Sequence, residues 1–395
     1  MADETGATTP STPAPAPTDW RAQARIDLDA VRANVGALRG YAGSAEVMVV
    51  VKADGYGHGM VPVARAAIAG GASWLGAAVL EEALGLRAAG IGPDQARVLC
   101  WLITPGSDLA PAIAADVDLS ANAVWAVEQI GAAAAVAGRE ARLHLKVDSG
   151  LGRGGAAAAE WADVVDAALK EQAAGRVRVV GLWSHLACAD EPGHPSNAAQ
   201  IEAFTAAVSD AERAGVRPEV RHLANSAGTV ALPGTHFDLV RPGISAYGFS
   251  PIPQLGDSAA YGLRPAMTLA ARLALTKRVP AGHGVSYGHT YVTERATTLG
   301  IVPVGYADGI PRTASSRGPV LVAGKRVPIA GRVCMDQVVL DLGDLDVAAG
   351  DEVLLFGPGE DGEPTVQEWA DLIGTITYEI VTGIGARIPR VFLSA

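Results

Sequence analysis

Eight short apolar runs recur along the first 240 residues, and most are followed by an alanine-rich stretch with helical periodicity. Alternation of strand and helix predicts parallel strands joined by crossover helices. Uninterrupted apolar strands are typical of a sheet covered on both faces. Eight such units in about 220 residues favour a closed α/β fold, the (β/α)8 TIM-type barrel, with a doubly wound open sheet as the alternative. The predicted strands are Val47–Val51, Trp74–Val79, Val98–Ile103, Val117–Leu119, Leu143–Val147, Val177–Trp183, Val220–Leu223 and Phe237–Val240.

The pattern changes on both sides of this region. Residues 1–18 are rich in Thr, Ala and Pro, which predicts an extended tail because such a segment has too little apolar side chain to form a core. Beyond residue 260, runs rich in β-branched residues are separated by Gly, Pro and Asp. One short helix is expected there, with Thr365 as N-cap and Glu368 completing a capping box. We predict a barrel over residues 19–260 and a mainly-β domain over residues 261–395.

Charge and cysteine content exclude several classes of protein. The 42 acidic residues outnumber the 31 basic ones, so the net charge is −11 and a phosphate-neutralising surface for nucleic acid is not expected. No apolar stretch is long enough for a membrane helix, and no secretory signal is visible. The three widely spaced cysteines support neither a disulfide framework nor a zinc site, and HExxH is absent. We expect a cytoplasmic protein without nucleic-acid, membrane or metal partners.

Polar side chains follow five of the eight predicted strands, at the end where a barrel gathers its active site. Lys52 is the most informative, because it follows four apolar residues and lysine is rare beside arginine in this chain. A desolvated lysine amine becomes a nucleophile towards carbonyls, which arginine cannot do. Pyridoxal phosphate (PLP) is a common partner of such a lysine, and an ion pair with Asp54 or a glutamate is the alternative. The other strand-end residues are Lys146, Asp148, Arg153, His185, Asn225, Ser226, Arg241 and Gly243.

A phosphate cup is expected in the loops after the seventh and eighth strands, where barrels often build one. The first loop holds Asn225 and Ser226, whose hydroxyl can donate a hydrogen bond. The second holds Gly243 and Ile244, whose backbone N–H groups can face an anion, and Tyr56 could add a phenol. Asn, Ser and Gly are also common in ordinary turns, which is the alternative interpretation of these loops. The presence of Lys52 at the same end of the barrel favours the phosphate cup.

Two motifs match the sequence signatures of other enzyme classes. Residues 150–155 satisfy GxGxxG, but the acidic residue required about 20 positions later, Glu171, precedes the next strand and could not easily reach a ribose. Residues 284–288 satisfy GxSxG, but a turn and a strand are expected after the serine, where a nucleophile elbow needs a helix. A nicotinamide enzyme and a serine hydrolase are therefore disfavoured.

The chain resembles the bacterial alanine racemases, a family of fold-type III PLP enzymes, over about residues 24–390. The most specific match is residues 51–59, VKADGYGHG, which resemble the PLP-lysine signature of the family. Six further segments match in the expected order, namely residues 146–153, 222–226, 241–243, 286–288, 305–309 and 334–337.

The resemblance implies a role for each matching residue. Lys52 would bind PLP covalently and act as a base on one face of the substrate Cα, while Tyr287 would act on the opposite face. Arg241 would hydrogen-bond the pyridine nitrogen and leave it mostly unprotonated, and His185 would tune Arg241 and Tyr287. Phosphate contacts are implied for Tyr56, Ser226, Gly243, Ile244 and Tyr378; Arg153 and the Met335 backbone N–H would hold the substrate carboxylate; Tyr306 and Met335 would narrow the entrance.

The resemblance also implies an assembly and a modification. Tyr287 would reach the site from the other subunit of a head-to-tail homodimer, and Lys146 would carry a carbamate beside Arg153. The implied activity is racemisation of alanine for peptidoglycan, with a racemase of serine or broader scope as the alternative. A PLP carrier built on a lone barrel lacks the second domain, and related decarboxylases normally use a cysteine where the resemblance places Tyr287.

Overall fold

The computed structural model describes residues 20–393, so the tail predicted over residues 1–18 lies outside the described residues. Strand β1 (Ala22–Asp27) and helix α1 (Leu28–Ala42) come before the barrel. Asp27 caps the helix, because its carboxylate accepts a hydrogen bond of 2.9 Å from the Ala30 N–H. Apolar side chains spaced three or four residues apart along α1 are buried, which fixes the helix on the core.

The predicted barrel is confirmed. Eight strands form one parallel sheet in the order β8-β7-β6-β5-β4-β3-β2-β9, so all their carboxyl ends lie at one edge. All four residues of β3 and all five of β5 are buried, as expected for strands covered on both faces. The strands are β2 (Glu46–Val50), β3 (Trp74–Ala77), β4 (Arg97–Cys100), β5 (Val117–Ala121), β6 (Ala141–Lys146), β7 (Val177–Trp183), β8 (Val220–His222) and β9 (Leu239–Val240).

Two backbone hydrogen bonds nearly close the barrel between β8 and β9. The Asp238 N–H donates to the Arg221 carbonyl (3.0 Å), and the Arg241 N–H donates to the Ala224 carbonyl (3.0 Å). The sheet therefore curls on itself, and the open-sheet alternative is wrong.

Helices follow most of the strands. Within residues 20–393, none is both long and apolar enough to cross a membrane. The helices of this region are α2 (Lys52–Tyr56), α3 (Met60–Ala69), α4 (Leu80–Ala88), α5 (Ala110–Ala114), α6 (Val124–Ala137), α7 (Trp161–Ala173), α8 (Pro195–Ala214) and α9 (Ser226–Ala231), with 3-10 turns at Pro233–Thr235, Ile244–Tyr247 and Ala259–Tyr261.

The second domain is mainly β, with short helices near its end. Its first helix has the predicted capping box: the Glu368 N–H donates to the Thr365 hydroxyl (3.1 Å), and the Thr365 N–H donates to the Glu368 carboxylate (2.6 Å). The elements are β10 (Met267–Arg272), β11 (Leu275–Val279), β12 (Gly284–Val285), β13 (Tyr291–Val292), β14 (Thr297–Val302), β15 (Pro319–Val322), β16 (Lys325–Pro328), β17 (Val338–Gly343), β18 (Glu352–Phe356), α10 (Val366–Ile373), α11 (Thr377–Thr382) and β19 (Arg390–Leu393), with 3-10 turns at Tyr287–His289, Tyr306–Asp308 and Arg312–Ala314.

Strand β1 belongs to the sheet of this second domain and not to the barrel. The six-stranded sheet has the order β16-β15-β18-β10-β1-β19, with Ala24 opposite Leu269 in β10 and Arg390 in β19. The sequence prediction assigned these residues to the barrel domain, because one short strand carries no signal of its partner. Two smaller sheets, β11-β14-β17 and β12-β13, complete the domain.

Candidate active site

A cavity of about 290 Å³ lies at the carboxyl ends of the barrel strands. Eleven of its fourteen lining residues were predicted from the sequence as site residues. The second domain also contributes, because Tyr378 in α11 packs against Tyr56 with the ring centroids 5.9 Å apart. The lining consists of Val50, Lys52, Tyr56, Trp101, Lys146, Arg153, Trp183, His185, Asn225, Ser226, Arg241, Gly243, Ile244 and Tyr378.

Lys52 is presented by an unusual left-handed turn. Ala53, Asp54 and Gly55 have φ values of 52°, 51° and 61°, and Tyr56 follows with φ 53°. Each L-residue in this conformation costs about 1–2 kcal/mol, so the turn needs support. The Glu82 carboxylate supplies it from α4, because it accepts a hydrogen bond of 2.7 Å from the Ala53 N–H. The turn fixes the backbone beside Lys52.

The amine of Lys52 is partly desolvated. Burial lowers its pKa below the ordinary value for lysine, and the nearby positive charge of Arg153 lowers it further, while Glu82 acts in the opposite direction. Its Nζ atom lies 6.0 Å from the centroid of the Trp101 ring. The alternative, an ion pair of Lys52 with Asp54 or a glutamate, is not supported, because Lys52 forms no salt bridge among the described residues.

The residues of the predicted phosphate cup meet where β8 and β9 end. The Gly243 N–H donates a hydrogen bond of 2.9 Å to the Ser226 hydroxyl, so the two loops meet. A Cβ atom at Gly243 would collide with the Tyr56 hydroxyl, which explains why the position is a glycine. Burial raises the pKa of Tyr56, and it raises that of Tyr378 to about 12, so both phenols stay protonated and can donate to an anion.

Arg241 is buried in the cavity wall and held by several acceptors. Its guanidinium donates to the carbonyls of Ser184 (2.7 Å) and Leu223 (3.1 Å) and contacts the Nδ1 atoms of His222 (3.1 Å) and His185 (3.3 Å). Burial lowers the pKa of Arg241 to about 9. The pKa of His185 is well below its usual value because of burial and the charge of Arg241, so this imidazole is neutral.

Lys146 and Arg241 both contact the Trp183 ring. The Lys146 Nζ lies 4.2 Å and the Arg241 Cζ 4.9 Å from the centroid of the Trp183 ring. Burial lowers the pKa of Lys146 to about 8, and the positive charges of Arg241 and Arg153 contribute to the shift. The cavity therefore concentrates cationic groups and favours anionic ligands.

The two decoy motifs have structural explanations. In the GxGxxG segment, the Asp148 carboxylate accepts hydrogen bonds from the N–H groups of residues 150–152, and the next α-helix begins only at Trp161. In the GxSxG segment, a 3-10 turn and strand β13 follow Ser286, whose hydroxyl donates to the Arg332 carbonyl (2.7 Å). Both alternatives were correctly disfavoured.

Three predicted site residues lie outside the cavity. Tyr287 is 71% exposed, Met335 53% and Tyr306 44%. The loops of Tyr306 and Met335 meet each other, because the Tyr306 N–H donates to the Cys334 carbonyl (3.0 Å). Within one chain, therefore, these three residues form part of an exposed surface.

Two aromatic residues of the cavity, Trp101 and Trp183, were not predicted from the sequence. Both were counted as members of apolar strands, and their types alone do not distinguish a cavity wall from a core. The stack of Trp183 on His222, with centroids 5.4 Å apart and planes within 8°, likewise depends on the pairing of β7 with β8.

Comparison with known proteins identifies the family. Residues 26–251 match the family model for the alanine racemase N-terminal domain, and residues 266–392 match that for the alanine racemase C-terminal domain. The alanine racemase of Frankia casuarinae is 61% identical over 376 residues, which cover 95% of this chain and 97% of that protein. The chain belongs to the alanine racemase family. The alanine racemase of Streptomyces coelicolor is 59% identical, with 95% and 96% of the two chains covered.

Solved structures of alanine racemases are similar to this chain over nearly its whole length. That of D-cycloserine-producing Streptomyces lavendulae has a TM-score of 0.93 at 59% identity and covers 95% of this chain and 97% of its own. The structure from Bartonella henselae, described with covalently bound pyridoxal phosphate, has a TM-score of 0.84 at 27% identity and covers 95% and 100%. The chain interconverts L- and D-alanine, and a broader or serine-directed activity is not favoured.

Proposed function

We propose that the chain carries out this PLP-dependent racemisation with two bases, Lys52 and Tyr287, on opposite faces of the substrate Cα. The observation that carries the proposal is the desolvated Lys52 amine in a cavity that is also lined by the buried Arg241 and by the loops of Ser226 and Gly243. PLP bound there supplies an electron sink for the negative charge left when Cα loses its proton.

The residues of the cavity fit PLP. Donors for a phosphate converge at one end, from Tyr56, Ser226, Tyr378 and the backbone of Gly243 and Ile244, beside Asn225. Gly243 lets the backbone approach closely, because a side chain would occupy the place of the Tyr56 hydroxyl. At the other end, Arg241 would donate to the pyridine nitrogen, and the neutral His185 beside it cannot protonate that nitrogen.

Arg153 would bind the substrate carboxylate, because it lines the cavity and its charge acts on Lys52 and Lys146. Lys52 would remove or return a proton at Cα from its side, a role that its lowered pKa supports. A second copy of the chain would supply Met335, whose backbone N–H would help to hold the carboxylate, and Tyr306, because neither residue lines the cavity of its own chain. The two residues would restrict the entrance to a small substrate.

The second base would come from a partner subunit. Tyr287 is 71% exposed and does not line the cavity of its own chain, so it can serve as a base only where another chain brings it to Lys52. Exposed apolar residues beside it, Met335 and Tyr306, suit burial against a second copy. We therefore propose a homodimer with two composite sites.

Mixing two inactive variants tests the shared site. After dissociation and reassociation, equal amounts of Lys52→Ala and Tyr287→Phe protein should recover about a quarter of wild-type activity, because half of the dimers are mixed and each has one intact site. Each variant put through the same cycle alone is the control. No recovery at any mixing ratio contradicts a shared site.

Deuterium exchange tests the reaction itself. Incubation with L-alanine in deuterated water should give D-alanine with deuterium at Cα, and L-serine under the same conditions should react far more slowly. A protein that binds PLP but forms no D-alanine would refute the activity.

We place the enzyme in the cytoplasm, where its unpaired cysteines stay reduced, as a supplier of D-alanine for peptidoglycan.

A further inference from the structure

A row of buried polar side chains crosses the inside of the barrel and ends at Arg241. The Arg241 guanidinium contacts His222 Nδ1 (3.1 Å), His222 Nε2 contacts His144 Nδ1 (2.9 Å), and His144 Nε2 contacts a carboxylate oxygen of Asp118 (3.2 Å). His222, His144 and Asp118 are fully buried. Barrel interiors are normally filled by branched apolar side chains, so this row is exceptional.

The hydrogen-bond direction along the row is determined by its ends. An arginine can only donate, so His222 must accept at Nδ1 and carry its proton on Nε2. His222 then donates to His144 Nδ1, and His144, protonated on Nε2, donates to the carboxylate of Asp118. Each imidazole accepts at Nδ1 and donates at Nε2, and reversing the link between them would place a second donor against the Arg241 guanidinium.

Asp118 is anchored at the far end of the row. Its carboxylate accepts from Arg97 (2.6 Å) and from Arg142 (2.5 Å), which stand near the beginning of β4 and β6. The row therefore runs from the amino-terminal half of the barrel to the cavity at its carboxyl end. Ion pairs on both sides keep the carboxylate charged and fixed in place.

The barrel is shaped to admit the His144 ring. The residue opposite on β7 is Gly181, where a Cβ atom would collide with His144 Nδ1. The pairing of β6 with β7 also shifts register between Leu143 and His144. A glycine inside a strand weakens that strand. The sheet is therefore locally irregular where the His144 imidazole lies.

We propose that His144 and Asp118 are positioning residues for Arg241, which act through His222 to hold the guanidinium in one orientation and in its charged form. The proposal rests on the proposed role of Arg241 at the cofactor ring. A fixed acceptor on His222 aligns the guanidinium, and the negative charge of Asp118, transmitted through two polarised imidazoles, offsets part of the cost of burying a cation.

Two substitutions of nearly the same size cut the row on either side of His144. In His144→Gln, the amide nitrogen can replace Nε2 and still donate to Asp118, but His222 loses its acceptor. In His144→Asn, the amide oxygen can replace Nδ1 and still accept from His222, but the link to Asp118 is lost. Glu219→Gln is the matched control, because Glu219 binds the same Arg97 (2.6 Å) at a partly exposed site outside the row.

The first measurement is nitrogen-15 NMR of the histidine-labelled holoenzyme. We expect both His222 and His144 to carry the proton on Nε2 in the wild type, because Arg241 donates to His222 Nδ1. In His144→Gln the His222 tautomer should stay the same, but the His222 Nε2 resonance should shift because its N–H has lost the acceptor. A wild-type His222 protonated on Nδ1 would overturn the proposal without reference to any variant or to activity.

The second measurement is the rate at which the holoenzyme loses its cofactor absorbance while free PLP is removed by a phosphatase. Loss should be about tenfold faster in both His144 variants, the weight of one hydrogen bond to a charged group, and unchanged in Glu219→Gln. Wild-type rates in both His144 variants would refute the positioning role, and an effect of His144→Gln alone would remove Asp118 from it. An Arg241→Gln variant that keeps the wild-type rate would instead refute the proposed role of Arg241.

Discussion

Lys146 should carry a carbamate whenever carbon dioxide is present. Carbamates form from the neutral amine, and burial beside the charges of Arg241 and Arg153 lowers the pKa of Lys146 to about 8. At pH 8 about half of this amine is neutral, compared with about 0.3% of a lysine with the ordinary pKa. The carbamate converts a cation among cations into an anion beside two arginines, so the cavity should also stabilise the product.

Carbon-13 NMR measures this modification directly. Holoenzyme at pH 8 with carbon-13 bicarbonate should give a Lys146 carbamate resonance that is absent in Lys146→Gln. A carbamate of the α-amino group, whose ordinary pKa is about 8, should give a separate resonance that is the same in both proteins. The three remaining lysines outside the cavity, Lys170, Lys277 and Lys325, are exposed and serve as internal controls. If the wild type gives no Lys146 carbamate resonance at saturating bicarbonate, or if that resonance survives in Lys146→Gln, the argument from burial and local charge is refuted.

Three further predictions concern the walls of the cavity. Gly243→Ala should release PLP at least about tenfold faster, because the new methyl group meets the Tyr56 hydroxyl. The rate of cofactor loss measures this release, and a wild-type rate would contradict the prediction. In the apoenzyme, the Lys52 amine should react with acetic anhydride at lower pH than a lysine in a model peptide, because a lowered pKa leaves more neutral amine; mass spectrometry across pH checks this. Ala53→Gly should stabilise the protein by about 1 kcal/mol in urea unfolding, since φ is 52° there, whereas the same exchange inside an exposed helix should destabilise it.

Much of the fold could be predicted because its signals are local. Each barrel strand is an apolar run, and each predicted run contains an observed strand or overlaps one. The predicted N-cap of α10, Thr365, depends on a contact three residues away. The position of strand β1 could not be predicted from local signals, because its neighbours Leu269 and Arg390 lie hundreds of residues further along the chain.

The candidate site divides in the same way. Lys52 could be chosen from the sequence because its chemistry and its apolar strand are adjacent. The aromatic wall of Trp101 and Trp183 could not, since a tryptophan in an apolar run has the same pattern in a core and in a cavity. The exposure of Tyr287 could be expected only through family resemblance, because a single chain has no internal signal for a partner.

By itself, the sequence determined the parallel barrel, and it singled out Lys52 and the loops at residues 225–226 and 243–244 as candidate site residues, because strand periodicity and residue chemistry are properties of short segments. Only the tertiary structure decided how Arg241 is held, which residue supports the turn after Lys52, and that Lys146 is desolvated among cations. Asp118 and His144, 26 residues apart, become partners through the register of neighbouring strands. That register, and the burial that accompanies it, is settled only when all eight strands pack together.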